Sequence, residues 1–451
     1  MSESPRPTIA SPRVRATTWL ERWRPILPLL VAEFVVWLGF GGLLPVLPIY
    51  LSEHGVDFAT MGVVVAAWPA ARLLSEPLFG WVADRTSRVP LMVVGLIASG
   101  VFGALPLVLI GPLAFIVLRG LAGLGAAIYD PAARGYLTDT TPPERQGEAF
   151  GLYGAAQMGG LLVGPAIGAF GASVIGGIGF VFVFSAVTAV IAALGIALLV
   201  HEDAAERRIH DQPSADQTEF PPDSPYLEER RARDRSSVET AGGTSGERPA
   251  RLLNRGLMAA LVINVGGFFG AGVYEVIWSL YLEGLGADLS LIGLTFAMFG
   301  LPVLLFSPLA GRLVDRRGPL RFIVVGSLLP ALTAIVYTVI TDPILAVPLI
   351  LVEATGFAML NPALYTVVAA SAPVGRSSTA QGWFGAAGTF GFIVSSLAAG
   401  LLAASDIRYP FYLLSVVLVG CTLVGIVIGG RALRGVRSAA GPSAVAGPSA
   451  I

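Results

Sequence analysis

The stretch GFGGLLPVLPIYLSEHGVDFATMG, residues 39–62, returns as GAGVYEVIWSLYLEGLGADLSLIG at residues 270–293. Gly39, Gly41, Tyr50, Leu51, Gly55, Asp57 and Gly62 recur as Gly270, Gly272, Tyr281, Leu282, Gly286, Asp288 and Gly293, a constant shift of 231 positions. The same shift carries Pro77, Gly80, Asp84 and Arg85 onto Pro308, Gly311, Asp315 and Arg316. It still holds at Pro112/Pro343, Gly125/Gly356, Pro131/Pro362 and Gly151/Gly382. An ungapped register kept from about residue 33 to about residue 170 marks a duplicated unit.

Composition supplies the solvent for that unit. The chain is 54% hydrophobic and 13% charged, with a mean hydropathy of +0.74, against about 25% charged for soluble domains. Such surfaces need lipid around them, and a duplicated membrane chain places its site between the related halves. A net charge of -1 gives no basic footprint for nucleic acid. The single cysteine, Cys421, excludes an internal disulfide framework and a cysteine-rich metal site. All 29 basic residues are arginine, so the lysine of a phosphate-binding Walker loop is missing, as is any Schiff-base lysine.

Spans of roughly 20 apolar residues are read at about 26–51, 59–82, 90–110, 113–137, 148–171 and 178–200, numbered 1–6. Spans 7–12 follow at about 257–282, 290–313, 321–341, 344–369, 378–403 and 409–430. The apolar run from Ile26 is long enough to cross a membrane and reads as a span, not a cleaved leader. Six spans per unit is an even number, so the halves are parallel repeats about an axis along the membrane normal. The expected organisation is all-α: an N-terminal segment 1–25, a six-helix bundle 26–200, a linker 201–256, a second bundle 257–431 and a tail 432–451. The linker is charged and rich in Pro and Ser, and the tail repeats Ala-Gly-Pro-Ser-Ala; both compositions predict disorder.

Arginine placement predicts orientation. Arg6, Arg13, Arg15, Arg22 and Arg24 precede span 1, Arg85 and Arg88 follow span 2, and Arg145 follows span 4. Arg312, Arg316, Arg317 and Arg321 surround the loop after span 8, and Arg431, Arg434 and Arg437 follow span 12. The loops of the opposite face carry only Arg408. By the positive-inside bias both termini are expected in the cytoplasm, and the chain in a cell membrane.

Three motifs carry a resemblance. Gly80-Trp-Val-Ala-Asp84-Arg85-Thr-Ser-Arg88, and its second copy from Gly311 through Asp315 and Arg316 to Gly318, resemble the loop signature of the major facilitator superfamily. Arg119-Gly-Leu-Ala-Gly123-Leu-Gly125 in span 4 is similar to the family's second motif, with Ala122 where glutamine is common. Gly160-Leu-Leu-Val-Gly164-Pro165-Ala-Ile-Gly168 in span 5 resembles the motif of its proton-coupled exporters, with Ala169 replacing a final glycine. The resemblance implies twelve helices in two six-helix bundles, with spans 1, 4, 7 and 10 lining a cavity. It also implies that Asp84 and Asp315 close an inner gate against the other half in one state.

Ionisable groups inside spans cost roughly 2.5–3.5 kcal/mol each on insertion scales, so each asks for a partner or a purpose. Glu33, Arg72, Glu76, Arg119, Asp130, Glu275 and Glu353 are such groups. Their repeat mates are Asn264, Val303, Ser307, Ile350, Asn361, Leu44 and Ala122, so none is dictated by the shared scaffold. Burial in low dielectric disfavours a charged carboxyl, which is how such a group takes up a proton. Glu33, Asp130 and Glu353 are the expected proton-coupling set, with Arg119 steering one of them. Arg72 and Glu76, four apart on one helix face, are expected to neutralise each other. Glu275, near a span end, is expected to reach water. Trp37, Tyr129, Phe268 and Asn264 are expected to line the cavity with Arg119 and Glu275. Aromatics with excess carboxylate suit a lipophilic, cationic solute.

The sequence therefore predicts a non-enzymatic secondary transporter, driven by a proton gradient and using no cofactor or metal. It exchanges protons for an outgoing amphipathic small molecule and acts as a monomer in the bilayer. Uptake or facilitated diffusion of a sugar or organic acid, a lipid flippase and a non-transporting sensor are the alternatives.

Overall fold

The computed structural model describes residues 22–142, 145–200, 253–373 and 376–435. Most of the N-terminal segment, nearly all of the expected linker and the end of the tail lie outside the described residues.

Among the described residues eleven helices are long and apolar enough to cross a membrane, and one bent pair supplies a twelfth span. That pair is Leu27–Leu43 and Leu47–Glu53, which meet at 40°. The expected span at 26–51 is therefore broken. Pro45 and Pro48 are the cause: a proline lacks the amide and crowds the preceding turn. Their mates in span 7 are Val276 and Ser279, and span 7 runs unbroken over Arg255–Gly284. The other spans fall close to expectation: Phe58–Ala83, Arg88–Ala104, Pro112–Thr140, Gln146–Gly171 and Gly179–Leu199 in the first half. Leu289–Arg317, Leu320–Tyr337, Ala346–Ser371, Ser377–Ala403 and Tyr409–Gly435 complete the second.

The repeat survives down to single contacts. Gly55 and Gly286 both take a positive φ, 73° and 92°, which lets the chain turn after spans 1 and 7. Asp57 and Asp288 then cap spans 2 and 8, accepting from the amides of Thr60 and Leu291 at 3.0 and 2.9 Å. The Tyr50 hydroxyl donates to the Pro106 carbonyl at 2.8 Å, and the Tyr281 hydroxyl donates to the carbonyl of its mate, Tyr337. Spans 3 and 4 touch through Gly95 and Gly125; spans 9 and 10 touch through Gly326 and Gly356.

Lipid gives helices no hydrophobic reason to associate, so close packing of small residues must hold them. A Cβ on Gly62 would stand 2.5 Å from the Ser396 carbonyl oxygen, and one on Gly293 would stand 2.4 Å from the Ala169 methyl. These contacts tie span 2 to span 11 and span 8 to span 5, on the side of the molecule away from the termini. There both halves contribute to one buried core, with Leu51, Met61 and Val65 packed in the same cluster as Trp278, Tyr281 and Ala399. On the terminal side the cores are separate: Leu29, Tyr136 and Ile196 belong to one half, Ile263, Leu364 and Leu433 to the other. The bundles are thus closed on the far side and parted on the terminal side.

Candidate functional site

Arg119 enters from span 4 and Glu275 from span 7, and they meet at the seam between the halves. Arg119 Nη2 donates to Glu275 Oε1 at 2.7 Å, with both side chains buried. The guanidinium lies 5.8 Å from the Phe40 ring centre and 5.9 Å from that of Trp68, and its Nε has no hydrogen-bond partner among the described residues. Glu275 was expected to reach water from its place near a span end; it is buried instead. Span 7 is 30 residues long, which sets Glu275 about two and a half turns inside its far end, level with Arg119.

Beside this pair is a cavity of about 220 Å³. Its wall is largely from the C-terminal half and aromatic, including Tyr274, Trp278, Phe299 and Phe357; Leu44 and Leu161 close it from the other half. Glu275 and Glu353 both line it. Glu353 is buried and accepts from the Tyr337 hydroxyl at 3.0 Å, with no cation paired to it among the described residues. The Tyr274 hydroxyl is buried near Glu353 and meets no hydrogen-bond criterion among the described residues. Tyr337 escaped the sequence reading because it lies in span 9, outside the expected cavity spans.

The remaining candidates lie apart from that chamber. Glu33 is fully buried inside the N-terminal half, held by three donors from three elements. Tyr129 Oη reaches Oε2 at 2.5 Å, Gln157 Nε2 reaches Oε1 at 2.6 Å and Trp37 Nε1 reaches the same oxygen at 2.9 Å. Asp130 pairs with Arg72, which also binds Glu76 at 2.7 Å, while Arg134 stands 3.8 Å from Asp130. The expected Arg72–Glu76 pair is present, with Asp130 as its third member. Asp130, Arg72, Trp37 and Tyr129 line a smaller cavity of about 70 Å³ within the bundle. Glu33, Asp130 and Glu353 therefore do not share one chamber.

Asn264 and Phe268 pack rather than offer free polar surface. Asn264 Nδ2 donates to the Phe384 carbonyl at 2.8 Å, pinning span 7 to span 11, and the Phe268 ring sits edge-on to Phe357 at 6.5 Å. Gly160, Gly164 and Gly168 form one stripe against span 1. A Cβ on them would lie 2.4 Å from the Phe34 carbonyl oxygen, 2.4 Å from that of Leu38 and 2.5 Å from that of Gly42. Pro165, between them, faces Gly293 of span 8, so the motif joins the halves as well as packing the bundle.

In the loop signatures, Gly80 and Gly311 approach Pro131 and Pro362 in equivalent fashion. Arg88 bridges to Asp139 at 2.8 Å, and Arg85 lies over the Trp81 ring at 4.1 Å. Asp84 and Arg316 are exposed, and Asp84 makes no ion pair or hydrogen bond to the other half among the described residues. This fits bundles parted on that side. The side chain of Asp315 lies outside the described residues.

Two six-span bundles joined on one side, parted on the other and enclosing carboxyls at their seam define a membrane transporter of small molecules. The comparisons agree. The Major Facilitator Superfamily profile matches residues 29–274 and 257–444, and the chain belongs to that family. It is 26% identical over 406 residues to Multidrug resistance protein 2 of Bacillus subtilis (strain 168), covering 87% of this chain and 92% of that one. Quinolone resistance protein NorA of Staphylococcus aureus (strain MRSA252) is 28% identical over 169 residues, 38% of this chain and 43% of that one. Among solved structures, a bacterial homologue of the human lysosomal transporter Spinster, inward-facing and unoccupied, superimposes with a TM-score of 0.70 at 15% identity. That superposition covers 94% of this chain and 98% of the other. The peptide transporter POT in complex with sulfate gives 0.66 at 15% identity over 91% of this chain and 95% of that one.

Proposed function

We propose that this transporter exports amphipathic small molecules in exchange for protons, acting as a monomer in a cell membrane with both termini in the cytoplasm. The observation that carries the proposal is the seam chamber of about 220 Å³, apolar and aromatic-walled, which two buried carboxyls enter. A lipophilic cation gains from the aromatic faces and needs a negative charge to replace its water. Glu353 supplies that charge only when its proton has left. One carboxyl thus holds a proton or faces the cargo, and binding of one expels the other.

Glu353 is the first candidate for the exchangeable proton because among the described residues the Tyr337 hydroxyl, not a cation, holds it. Glu275 is already neutralised by Arg119, so its part is to join the halves until cargo or a proton competes for it. Glu33 is a second proton site, reached only if its cage of donors opens. Asp130 is held by Arg72 and takes a proton only on release from that pair. The drug-resistance names of two relatives support export, and the arginine distribution supports cytoplasmic termini.

The test is transport in proteoliposomes with an imposed pH gradient and tetraphenylphosphonium as probe. Cation movement opposite to the proton gradient, lost in Glu353→Gln with folding intact, is the expected result. Equal movement without a gradient would favour facilitated diffusion and end the exchange reading.

A further inference from the structure

At the terminal end of the N-terminal half, spans 1 and 6 part and leave an open groove of about 400 Å³. Leu27, Val31 and Val35 form one wall, Ile191 and Gly195 the other, and Arg24 stands at the end. The groove opens outward: Val31 is 60% exposed and Ile191 is 53% exposed. Leu27 to Val35 rises about 12 Å, and Arg24 lies most of a turn below. That span matches most of one leaflet of a bilayer whose hydrocarbon is about 30 Å thick.

The scaffold does not require this opening. Under the repeat shift, Ala32, Ala192 and Gly195 become Ile263, Leu423 and Ile426. In the second half the larger Ile263 takes the place of Ala32, is fully buried and packs against span 12, where a Cβ on Gly425 would meet its Cγ1 at 2.4 Å. A Cβ on Gly195 would meet nothing within 4 Å. Small residues keep the groove open in the first half.

Charge selects the occupant. Arg24 lines the groove's polar end and is exposed, Arg22 two residues before it is exposed as well, and a guanidinium matches the oxygens of a phosphate in a bidentate fashion. Juxtamembrane arginines of this kind recognise anionic head groups. We infer that the groove is a binding site for an anionic phospholipid, one acyl chain lying between spans 1 and 6 and the phosphate held by Arg24 and Arg22. This site is independent of the seam chamber and of the exchange mechanism.

Native mass spectrometry and thermal unfolding of the full chain in detergent test it, with phosphatidylglycerol and phosphatidylcholine of identical acyl chains as probes. One phosphatidylglycerol should be retained per protein, and it should raise the unfolding temperature in a concentration-dependent way that phosphatidylcholine does not match. Gly195→Leu, which enters open space, should keep its own unfolding temperature and lose the retained lipid. The double variant Arg22→Gln with Arg24→Gln should lose the preference between the two lipids. Equal retention of both lipids by the unaltered protein, or a retained lipid in Gly195→Leu, overturns the inference. It is also overturned if phosphatidylglycerol is retained only after removal of residues 2–20, since the chain itself would then fill the groove.

Discussion

Arg119 of span 4 and Glu275 of span 7 meet at 2.7 Å across the seam, an ion pair formed by residues 156 apart in sequence. Among the described residues the other pairs, Arg72–Glu76, Arg72–Asp130, Arg88–Asp139 and Arg134–Asp130, lie within the N-terminal half. A buried pair is costly to form and more costly to break from one side, because the survivor is left charged without a partner. Arg119→Leu or Glu275→Leu alone should therefore destabilise by about 3–5 kcal/mol. The double variant should fall well short of the sum. Thermal unfolding of the four proteins of the cycle measures this coupling, and additive losses would show that the two residues act separately.

The cage around Glu33 makes a second prediction. Tyr129→Phe removes the donor to Oε2, and Gln157→Leu removes one of two donors to Oε1. Each should cost about 1–3 kcal/mol, the usual penalty for a buried group left short of a partner. Glu33→Leu with Tyr129→Phe should recover part of that loss, because both polar partners are then gone. Equilibrium unfolding in detergent supplies the comparison.

The span-5 stripe predicts a positional contrast among glycines of one helix. Gly164→Ala would put a methyl 2.4 Å from the Leu38 carbonyl oxygen, which span 1 can relieve only by moving away. Overpacking of this kind costs about 1–3 kcal/mol. Gly151→Ala meets nothing within 4 Å and should be neutral or slightly stabilising, since alanine favours a helix over glycine. Unfolding temperatures that ranked the two the other way would contradict the packing described.

Asp57, outside the spans, predicts a pH effect of definite sign. The Thr60 amide and then its hydroxyl hold the carboxyl below its usual value. A group lowered in the folded state stabilises fully above its unfolded value, about 3.9, and loses that contribution as pH falls through the folded value. Asp57→Ala should cost about 1 kcal/mol at pH 7 through loss of the cap. The difference from the unaltered protein should shrink on acidification below about pH 4. Unfolding of both proteins across that range reads it directly.

How much of this was legible beforehand depends on the distance over which each feature is decided. Asp57 and Asp288, Gly55 and Gly286, Gly95 with Gly125 and their mates act within a turn or between neighbouring spans. The repeat register therefore exposed them. The break in span 1 was also written locally, in Pro45 and Pro48 and the absence of prolines at their mates, yet the apolar run concealed it. The partner of Arg119 was not legible. Whether it meets Glu275, Glu33 or water depends on how two bundles rotate against each other, and no spacing within one chain half encodes that angle. The division of Glu33, Asp130 and Glu353 among separate surroundings has the same origin: span assignment gives depth, not the direction in which a side chain looks.

The proposed exchange requires Glu353 to carry either a proton or the charge that faces cargo. The direct measurement is proton release on binding, followed with a pH indicator in weakly buffered detergent solution near neutral pH as tetraphenylphosphonium is added. The unaltered protein should release protons in proportion to the cation bound, and Glu353→Gln should bind more weakly and release fewer. Saturable binding with no proton released, or undiminished release from Glu353→Gln, would contradict it.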